Sequence, residues 1–506
     1  MLIYLWGLFI SAPLPAATLL VWPDSPNPTP PYADWTTAAQ TIQTAVDAAQ
    51  AGDTVLVTNG VYATGGRAVS GLTTNRVVID KAVKLRSVNG PDVTVIQGYR
   101  MPGSTNGNGA IRCVYLTNGT VLSGFTLTNG ATLVSDNGGG AWCASTNAVL
   151  TNCILTGNAA DNKGGGAFSG TLHRCTLAGN TAAYGGGAYQ GKLTACVLAS
   201  NSAISGGGAY SAILTNCTLS LNTASQYGGG AYSSTQYNCT ITGNSAPSGG
   251  GNYIGLLYNS ALTGNTASQY GGGTYQGKLT NCTLTGNSAS LSGGGAYNAT
   301  LNNSILYYNT SKSGTNYLNG TLNYCCTTPL PGSGTSNIVS EPQLASPSRL
   351  SAGSPCRGAG GATYITGTDI DGEAWLNPPA IGCDEFQDAG TTGVLSATMS
   401  SPATNVSLGA SMTLTASING PATVSVWDFG DGTSLSNRPY ASHTWNAQGY
   451  YLVALRAYNG DHPDGVIATA RVQVTGPLHY VAPASTNPLP PYSSWEIAAQ
   501  NIQDAV

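Results

Sequence analysis

The sequence predicts an all-β chain: a right-handed parallel β-helix with an N-terminal helical cap, followed by an Ig-like β-sandwich. Three observations predict it. A Gly-Gly-Gly triplet recurs through the middle of the chain, mostly every 21 or 22 residues. Aliphatic, cysteine and asparagine positions recur in step with it. Beyond residue 393 the triplets stop and alternating strands take over.

At 506 residues the chain exceeds what one hydrophobic core serves, so several domains are expected. Only 8% of residues are charged, against roughly 25% in an average soluble domain. Such a composition suits disorder, but 41% of residues are hydrophobic and they recur regularly, which argues for packed structure. The net charge is −4 and no Lys/Arg run occurs, which argues against nucleic acid as a partner.

Taken in order, Met1 to Ala17 is an apolar run ending Leu14-Pro15-Ala16-Ala17, which reads as a secretory signal peptide (residues 1–17). The usual positive start is missing, because no Lys or Arg precedes Arg67. No other segment reaches the ~18 apolar residues of a membrane span. The stretch from Trp35 is amphipathic, with Ala39, Ile42, Ala45, Val46 and Ala49 on one helical face, and predicts a cap over the solenoid end. Ala51-Gly-Asp-Thr-Val-Leu-Val then starts the first strand, and the segments from Val77 and Val93 give further coils.

The regular coils span 137–310. The triplets begin at Gly138, Gly164, Gly185, Gly206, Gly228, Gly249, Gly271 and Gly293. A small residue and then an aromatic follow each: Trp142, Phe168, Tyr189, Tyr210, Tyr232, Tyr253, Tyr275 and Tyr297. About ten residues on comes a strand such as Leu-Thr-Asn-Cys-Thr-Leu. One column, Leu155, Leu177, Leu198, Leu219, Ile241, Leu262, Leu284 and Leu306, is aliphatic in every copy and so faces a core. Two residues earlier, on the same strand face, lie six Cys and two Ser: Cys153, Cys175, Cys196, Cys217, Cys239, Ser260, Cys282 and Ser304. The residue between is Thr in four of eight copies, which suits solvent. No coil buries such a face alone, so the coils stack, at roughly 4.8 Å each. The triplets serve a corner needing positive φ or close backbone approach.

A third column holds Asn158, Asn180, Asn201, Asn222, Asn244, Asn265, Asn287 and Asn309 at the bend after the strand. Amide-to-amide hydrogen bonding along the axis gives each a structural role, a row of ligand-binding amides being the alternative. The six column cysteines read as buried free thiols, since in-register Cβ vectors do not favour the disulfide dihedral. Cys325, Cys326, Cys356 and Cys383 lie outside the column, and a Cys356–Cys383 disulfide suits an exported protein. The aromatic column admits two readings. Facing out, it forms a ladder for stacking on sugar rings. Facing in, it is core. The small neighbour tolerates Asn252 and Thr274, which marks it as the exposed position and favours inward aromatics.

On these residues the chain, over 18–388, resembles the pectin-lyase-like right-handed β-helix superfamily, whose N-terminal coils commonly carry such a helix before a Gly-Asp-Thr-Val strand. The Gly-Gly-Ala-aromatic cadence also resembles the repeats of chlamydial polymorphic outer-membrane proteins, with Leu or Ile replacing their Phe in most copies, so no residue roles carry over. Ser354-Pro-Cys, Asp369-Ile-Asp-Gly-Glu and Ile381-Gly-Cys-Asp-Glu resemble the closing segment of exported bacterial β-helix proteins. Trp427-Asp-Phe-Gly-Asp-Gly-Thr, His443-Thr-Trp and Gly449-Tyr-Tyr-Leu-Val resemble the signature of a PKD domain, placed at 393–475. That resemblance implies a spacer or binding module of an extracellular protein. Trp427 is then core, and Asp428 and Asp431 fix a turn, with calcium the alternative there and at Asp369 and Asp371. The segment from Tyr492 repeats that from Tyr32 at an offset of 460, so residues 477–506 read as the start of a second, truncated β-helix.

The superfamily resemblance implies a test for polysaccharide lyase or glycoside hydrolase chemistry on uronate-rich or other glycans. Hydrolysis needs two carboxylates flanking the scissile bond, and lyases of this fold use acidic calcium ligands with a basic residue. Between Asn137 and Ser340 the only acidic residue is Asp161; the basic ones are Lys163, Arg174, Lys192, Lys278 and Lys312, with His173. Charge in the earlier coils (Asp80, Lys81, Lys84, Arg86, Asp92, Arg100) is scattered and reads as solvated. The expectation is a non-catalytic structural or adhesive protein, secreted or on a bacterial cell surface, with polysaccharide as the partner.

Overall fold

The computed structural model describes residues 16–69, 73–387, 391–401, 403–476, 481–490 and 495–505. The apolar run read as a signal peptide lies almost entirely outside them. A parallel β-solenoid occupies 141–327, preceded by wider coils and followed by a β-sandwich. The chain forms two compact units, Met1–Leu256 and Leu257–Val506. No helix among the described residues is long and apolar enough to cross a membrane.

The first unit opens with strand Thr18–Val21, paired in parallel with Thr54–Val57, which pairs in turn with Lys84–Ser87. Between them sits the cap helix, Ile42–Ala48, started by Thr41, whose side chain accepts from the Thr44 N–H. The helix is shorter than its apolar stripe. Ala39 is buried, but its N–H and C=O are bonded to Leu20 and Trp22 in a strand-like bridge, which stops the helix extending back to Trp35. Ile42, Ala45 and Val46 seal the core.

The regular coils from Gly164 to Ser292 each contain four short strands. In one coil these are Ala209–Tyr210, Ile213–Thr215, Thr218–Ser220 and Thr223–Tyr227. Each pairs in register with its counterpart in the next coil: Ala209 with Ala231, Leu214 with Gln236, Leu219 with Ile241 and Thr223 with Ser245. The run Leu214-Thr-Asn-Cys-Thr-Leu is therefore two strands, where alternation alone predicts one. Asn216 between them takes φ 53°, a left-handed corner that Asn adopts readily. The corner lets Leu214, Cys217 and Leu219 all point inward despite the odd spacing of the first two. At the opposite corner Gly206 takes φ +67°, and a Cβ on Gly207 would lie 2.3 Å from the Thr223 carbonyl oxygen of the same coil. The triplet thus serves both expected needs.

In the second unit the coils continue through Lys278–Thr280, Thr283–Thr285 and Ser288–Ser292 to a last strand at Cys326–Thr327. Here Ala261, Thr283 and Ile305, at positions read as solvent-facing, are buried. The closing segment covers them. The Cys383 N–H donates to Thr283 Oγ1 (3.1 Å), and Ile305 joins a core with Cys326, Leu344, Leu350, Cys356 and Ile381. The same segment runs along the corner asparagines. Asn259 Nδ2 donates to the Thr366 and Thr368 carbonyls, Asn281 Nδ2 to that of Tyr364, and Asn303 both donates to and accepts from Gly361.

The sandwich packs a three-stranded sheet (Ser396–Ser400, Ser411–Asn419, Tyr440–Thr444) against a five-stranded one that includes Val424–Asp428, Gly449–Asn459 and His462–Thr475. Trp427 and Trp445 are fully buried, and their indole N–H groups donate to the Arg438 and Phe429 carbonyls. After the sandwich, Val481 bridges Ala499 in parallel and Gln500 Nε2 donates to the Ser485 carbonyl. Val21 with Ala39, and Gln40 with Ser25, make the same contacts at the N-terminus, so the repeated sequence takes the same local form.

Candidate functional site

The aromatic column is the longest uniform feature on the coil surfaces, and the structure places it outward. Ala141, Ala167, Ala188, Ala209, Ala231, Asn252, Thr274 and Ala296 are buried, while Trp142, Phe168, Tyr189, Tyr210, Tyr232, Tyr253, Tyr275 and Tyr297 are half-buried on the other side of the same strands. This corrects the inward expectation. A two-residue strand puts one side chain in and one out, and the inner position carries Ala in six copies, with Asn252 and Thr274 in the other two. Asn252 does not mark an exposed position. It is buried and accepts from Gln236 Nε2 (3.2 Å), where Gln236 replaces a leucine of the neighbouring inner column.

The rings stack on one another. In the first unit Phe168, Tyr189, Tyr210, Tyr232 and Tyr253 follow with centroids 5.6, 5.2, 4.6 and 5.2 Å apart and planes within 15°. Trp142 breaks the stack edge-on and lies over the Arg112 guanidinium, 4.8 Å away. In the second unit Tyr275 and Tyr297 stack at 5.4 Å. Each stacked pair contributes about 0.5–1.5 kcal/mol beyond burial. The faces are therefore occupied by neighbouring rings, and the file offers outer edges and phenol hydroxyls. Sugar rings cannot stack flat on it. Burial and the adjacent phenols raise Tyr210 above its ordinary value, so its hydroxyl stays protonated and both donates and accepts.

A second set of rings flanks the file. Tyr184 meets Tyr210 edge-on (5.6 Å, 74°), and Tyr227 leans on Tyr232 and Tyr253 at 52° and 39°. In the second unit Tyr270 leans on Tyr297 at 38°. Lys163 occupies the same position one coil before Tyr184 and lies over the Tyr189 ring, 5.0 Å from its centroid. Sequence reasoning missed these residues, although Tyr184, Tyr227 and Tyr270 each directly precede a triplet.

The asparagine column is inside. Asn158, Asn180, Asn201, Asn222 and Asn244 are fully buried in the first unit, as are Asn265 and Asn287 in the second, with Asn309 nearly so. Each Asn201-type amide donates to the next Asn Oδ1 and to a leucine carbonyl, and that Oδ1 also takes the preceding backbone N–H. Asn309 ends the row on Asn316. These atoms are spent on the coil.

All twelve cysteines are buried, and none is in a disulfide. Cys356 and Cys383 are not joined: the Cys383 thiol donates to the Ser348 carbonyl, while Cys356 packs in the core with Cys326. Cys325 belongs to the inner column after all, since its thiol meets the Asn323 and Leu301 carbonyls as Cys282 meets those of Thr280 and Leu257. Burial pushes Cys143 and Cys325 up to about 12, which makes them poor nucleophiles.

Charge gathers in two other places. Arg112 is wholly buried on Asp136 (2.9 Å), Asn75 (2.6 Å) and the Gly138 carbonyl (2.7 Å). It anchors the start of the regular coils, and nothing in the local sequence separates it from the solvated charges. In the closing segment Arg349 spans Asp371 and Asp384. Asp369 accepts from the N–H groups of Asp371, Glu373 and Glu385, and Glu385 from those of Leu376 and Ala380. In the sandwich Asp428 accepts from Gly430 N–H, and Asp431 from Thr433 and His443. These carboxylates hold turns: Asp369 in the closing segment, and Asp428 and Asp431 in the sandwich.

Residues 395–472 match the PKD domain family. No curated protein matches the chain. Among solved structures it is similar to pectate lyase Pel9A (13% identity, 74% of this chain and 98% of that one, TM-score 0.42). It is also similar to a rhamnogalacturonan lyase (12%, 65% and 90%, TM-score 0.33). A third is a mannuronic acid specific polysaccharide family 6 lyase from human gut microbiota (10%, 55% and 82%, TM-score 0.28).

Proposed function

We propose that this chain is a non-catalytic extracellular scaffold that holds a polysaccharide along its outward tyrosine file. The observation that carries the reading is the file itself: stacked rings repeating once per coil, their outer edges and hydroxyls exposed along the solenoid axis. A hydroxyl-rich polymer lying along that axis meets a donor–acceptor group about every 5 Å, the strand spacing. The rings are rigid and pre-stacked, so little side-chain entropy is lost on binding. The PKD-type module supports an extracellular setting. The carboxylates near the coils hold turns and ion pairs, which supports holding a glycan over cleaving it.

The test replaces Tyr189, Tyr210, Tyr232 and Tyr253 together by Phe. This keeps the stack and the fold and removes the hydroxyls. Affinity electrophoresis and calorimetry against a polysaccharide panel should show binding by the parent and loss of at least about tenfold in the variant, with unchanged circular dichroism. Equal binding by both proteins would refute the reading, as would new reducing ends or unsaturated products appearing in the binding mixtures.

A further inference from the structure

The flank of the file carries a second period. Tyr184 pairs in register with Ser205, Ser205 with Tyr227, and Tyr227 with Ser248. In the second unit Tyr270 pairs with Ser292. In the first unit flanking rings therefore stand two coils apart, about 10 Å from each other, with a small buried serine in the coil between, Ser205 and Ser248 each being 5% exposed. Tyr184 and Tyr227 are among the exposed large side chains (38% and 40%). Unlike the file rings, they lie tilted or edge-on to their neighbours and are not stacked between two parallel rings.

From the coil of Tyr210 to that of Tyr253 the surface also lacks charge, Lys163 and Lys192 lying in the coils before it. No Asp, Glu, Lys, Arg or His occurs between Lys192 and Lys278. An anionic chain laid there would lose hydration and gain no cation in return.

Resting on the reading of the file as the glycan-holding surface, we propose that its ligand is an uncharged, two-fold β-1,4-linked glycan of the cellulose, mannan or chitin type, bound with one disaccharide per two coils. In such a chain each sugar is flipped relative to the last, so the same sugar face recurs only at every second unit, and that repeat matches two coil spacings. One sugar of each pair packs its C–H face on a flanking tyrosine, and its partner lies between two such rings. The file hydroxyls bond the sugar hydroxyls alongside. A uronate chain fails on charge. A β-1,3-linked chain curves away from the straight axis and meets the flank out of step.

Calorimetry on the full chain with hexasaccharides tests this. Cellohexaose and mannohexaose should bind at least about tenfold tighter than laminarihexaose or hexagalacturonate at low salt. Tyr227→Ser should weaken cellohexaose about fivefold or more with the circular dichroism unchanged. If hexagalacturonate or laminarihexaose binds as tightly as cellohexaose while the four-Phe variant loses all of them, the ligand class is wrong and the file remains the site. If no hexasaccharide or polysaccharide binds, the file reading itself falls, and the ligand class with it.

Discussion

Replacing Asn222 with alanine removes one rung of the internal asparagine row. Asn222 Oδ1 accepts from both the backbone N–H and the side-chain amide of Asn201, each at 2.9 Å. Its Nδ2 donates to the Leu198 carbonyl and to Asn244 Oδ1, each at 2.9 Å. Asn244 Oδ1 keeps the Asn222 backbone N–H, and Asn201 Nδ2 keeps the Leu177 carbonyl. Two Asn201 hydrogens are left in a dry interior with no acceptor. At about 1–3 kcal/mol for each buried orphan, the cost is about 2–6 kcal/mol. Coils contact only their neighbours, so the damage should be local. Amide hydrogen exchange is the assay. The Asn201 amide and the strands Val197–Ala199 and Thr218–Ser220 should exchange at least about 30-fold faster, the equivalent of about 2 kcal/mol. Strands far from this coil, such as Thr54–Val57, should be unchanged. Thr240→Ala, on the half-exposed side, is the control and should fall within about 0.5 kcal/mol of the parent. Exchange at Asn201 within about threefold of the parent would refute the argument that this row holds the bend.

Three more outcomes are expected. The double change Gln236→Leu, Asn252→Ala should raise the urea midpoint by the equivalent of about 1–2 kcal/mol, because Gln236 Oε1 is buried without a partner and the flanking rows carry leucine and alanine; a lower midpoint would show the pair to be stabilising. Asn303→Ala removes both hydrogen bonds to Gly361 and should free the closing segment, read as faster proteolysis between Arg357 and Thr368 with the sandwich intact. In the sandwich, burial pushes Asp431 up, but the hydrogen bonds from Thr433 and His443 outweigh it and leave the carboxyl below its ordinary value of 3.8. A depressed acid stabilises the fold above its unfolded value, and that stability is lost as pH falls through the folded one. Asp431→Asn should therefore flatten the loss of sandwich stability below about pH 4 in acid titrations followed by tryptophan fluorescence; an unchanged acid slope would exclude Asp431 as its source.

The repeat was legible because eight copies average out the noise of any one. The Leu155–Leu306 column stayed aliphatic and the Asn158–Asn309 column never varied, which marks both as packed positions. The corner at Asn216 was harder to see. Asn fits a left-handed turn, yet Arg174 and Ala195 fill the same corner in other coils with φ 51° and 52°, and they disguise it as strand. The outward direction of the tyrosines was misread for a similar reason. Asn252 and Thr274 look like solvent-facing substitutions, and Asn252 is accommodated inside by Gln236, sixteen residues away.

The sequence alone determined the period, the solenoid, the inner leucine, cysteine and asparagine columns, the helical cap and the PKD-type module, because each is written in local patterns or in repetition. The tertiary structure decided what depends on contacts between segments with no common pattern. These are the side of the strand that carries the tyrosines, the use of their faces on each other, the alternating rings beside them, and the closing segment laid along Asn259, Asn281 and Asn303. A short strand has two faces and identical local preferences for both, so only the walls that neighbouring coils place around it select which side chain goes in.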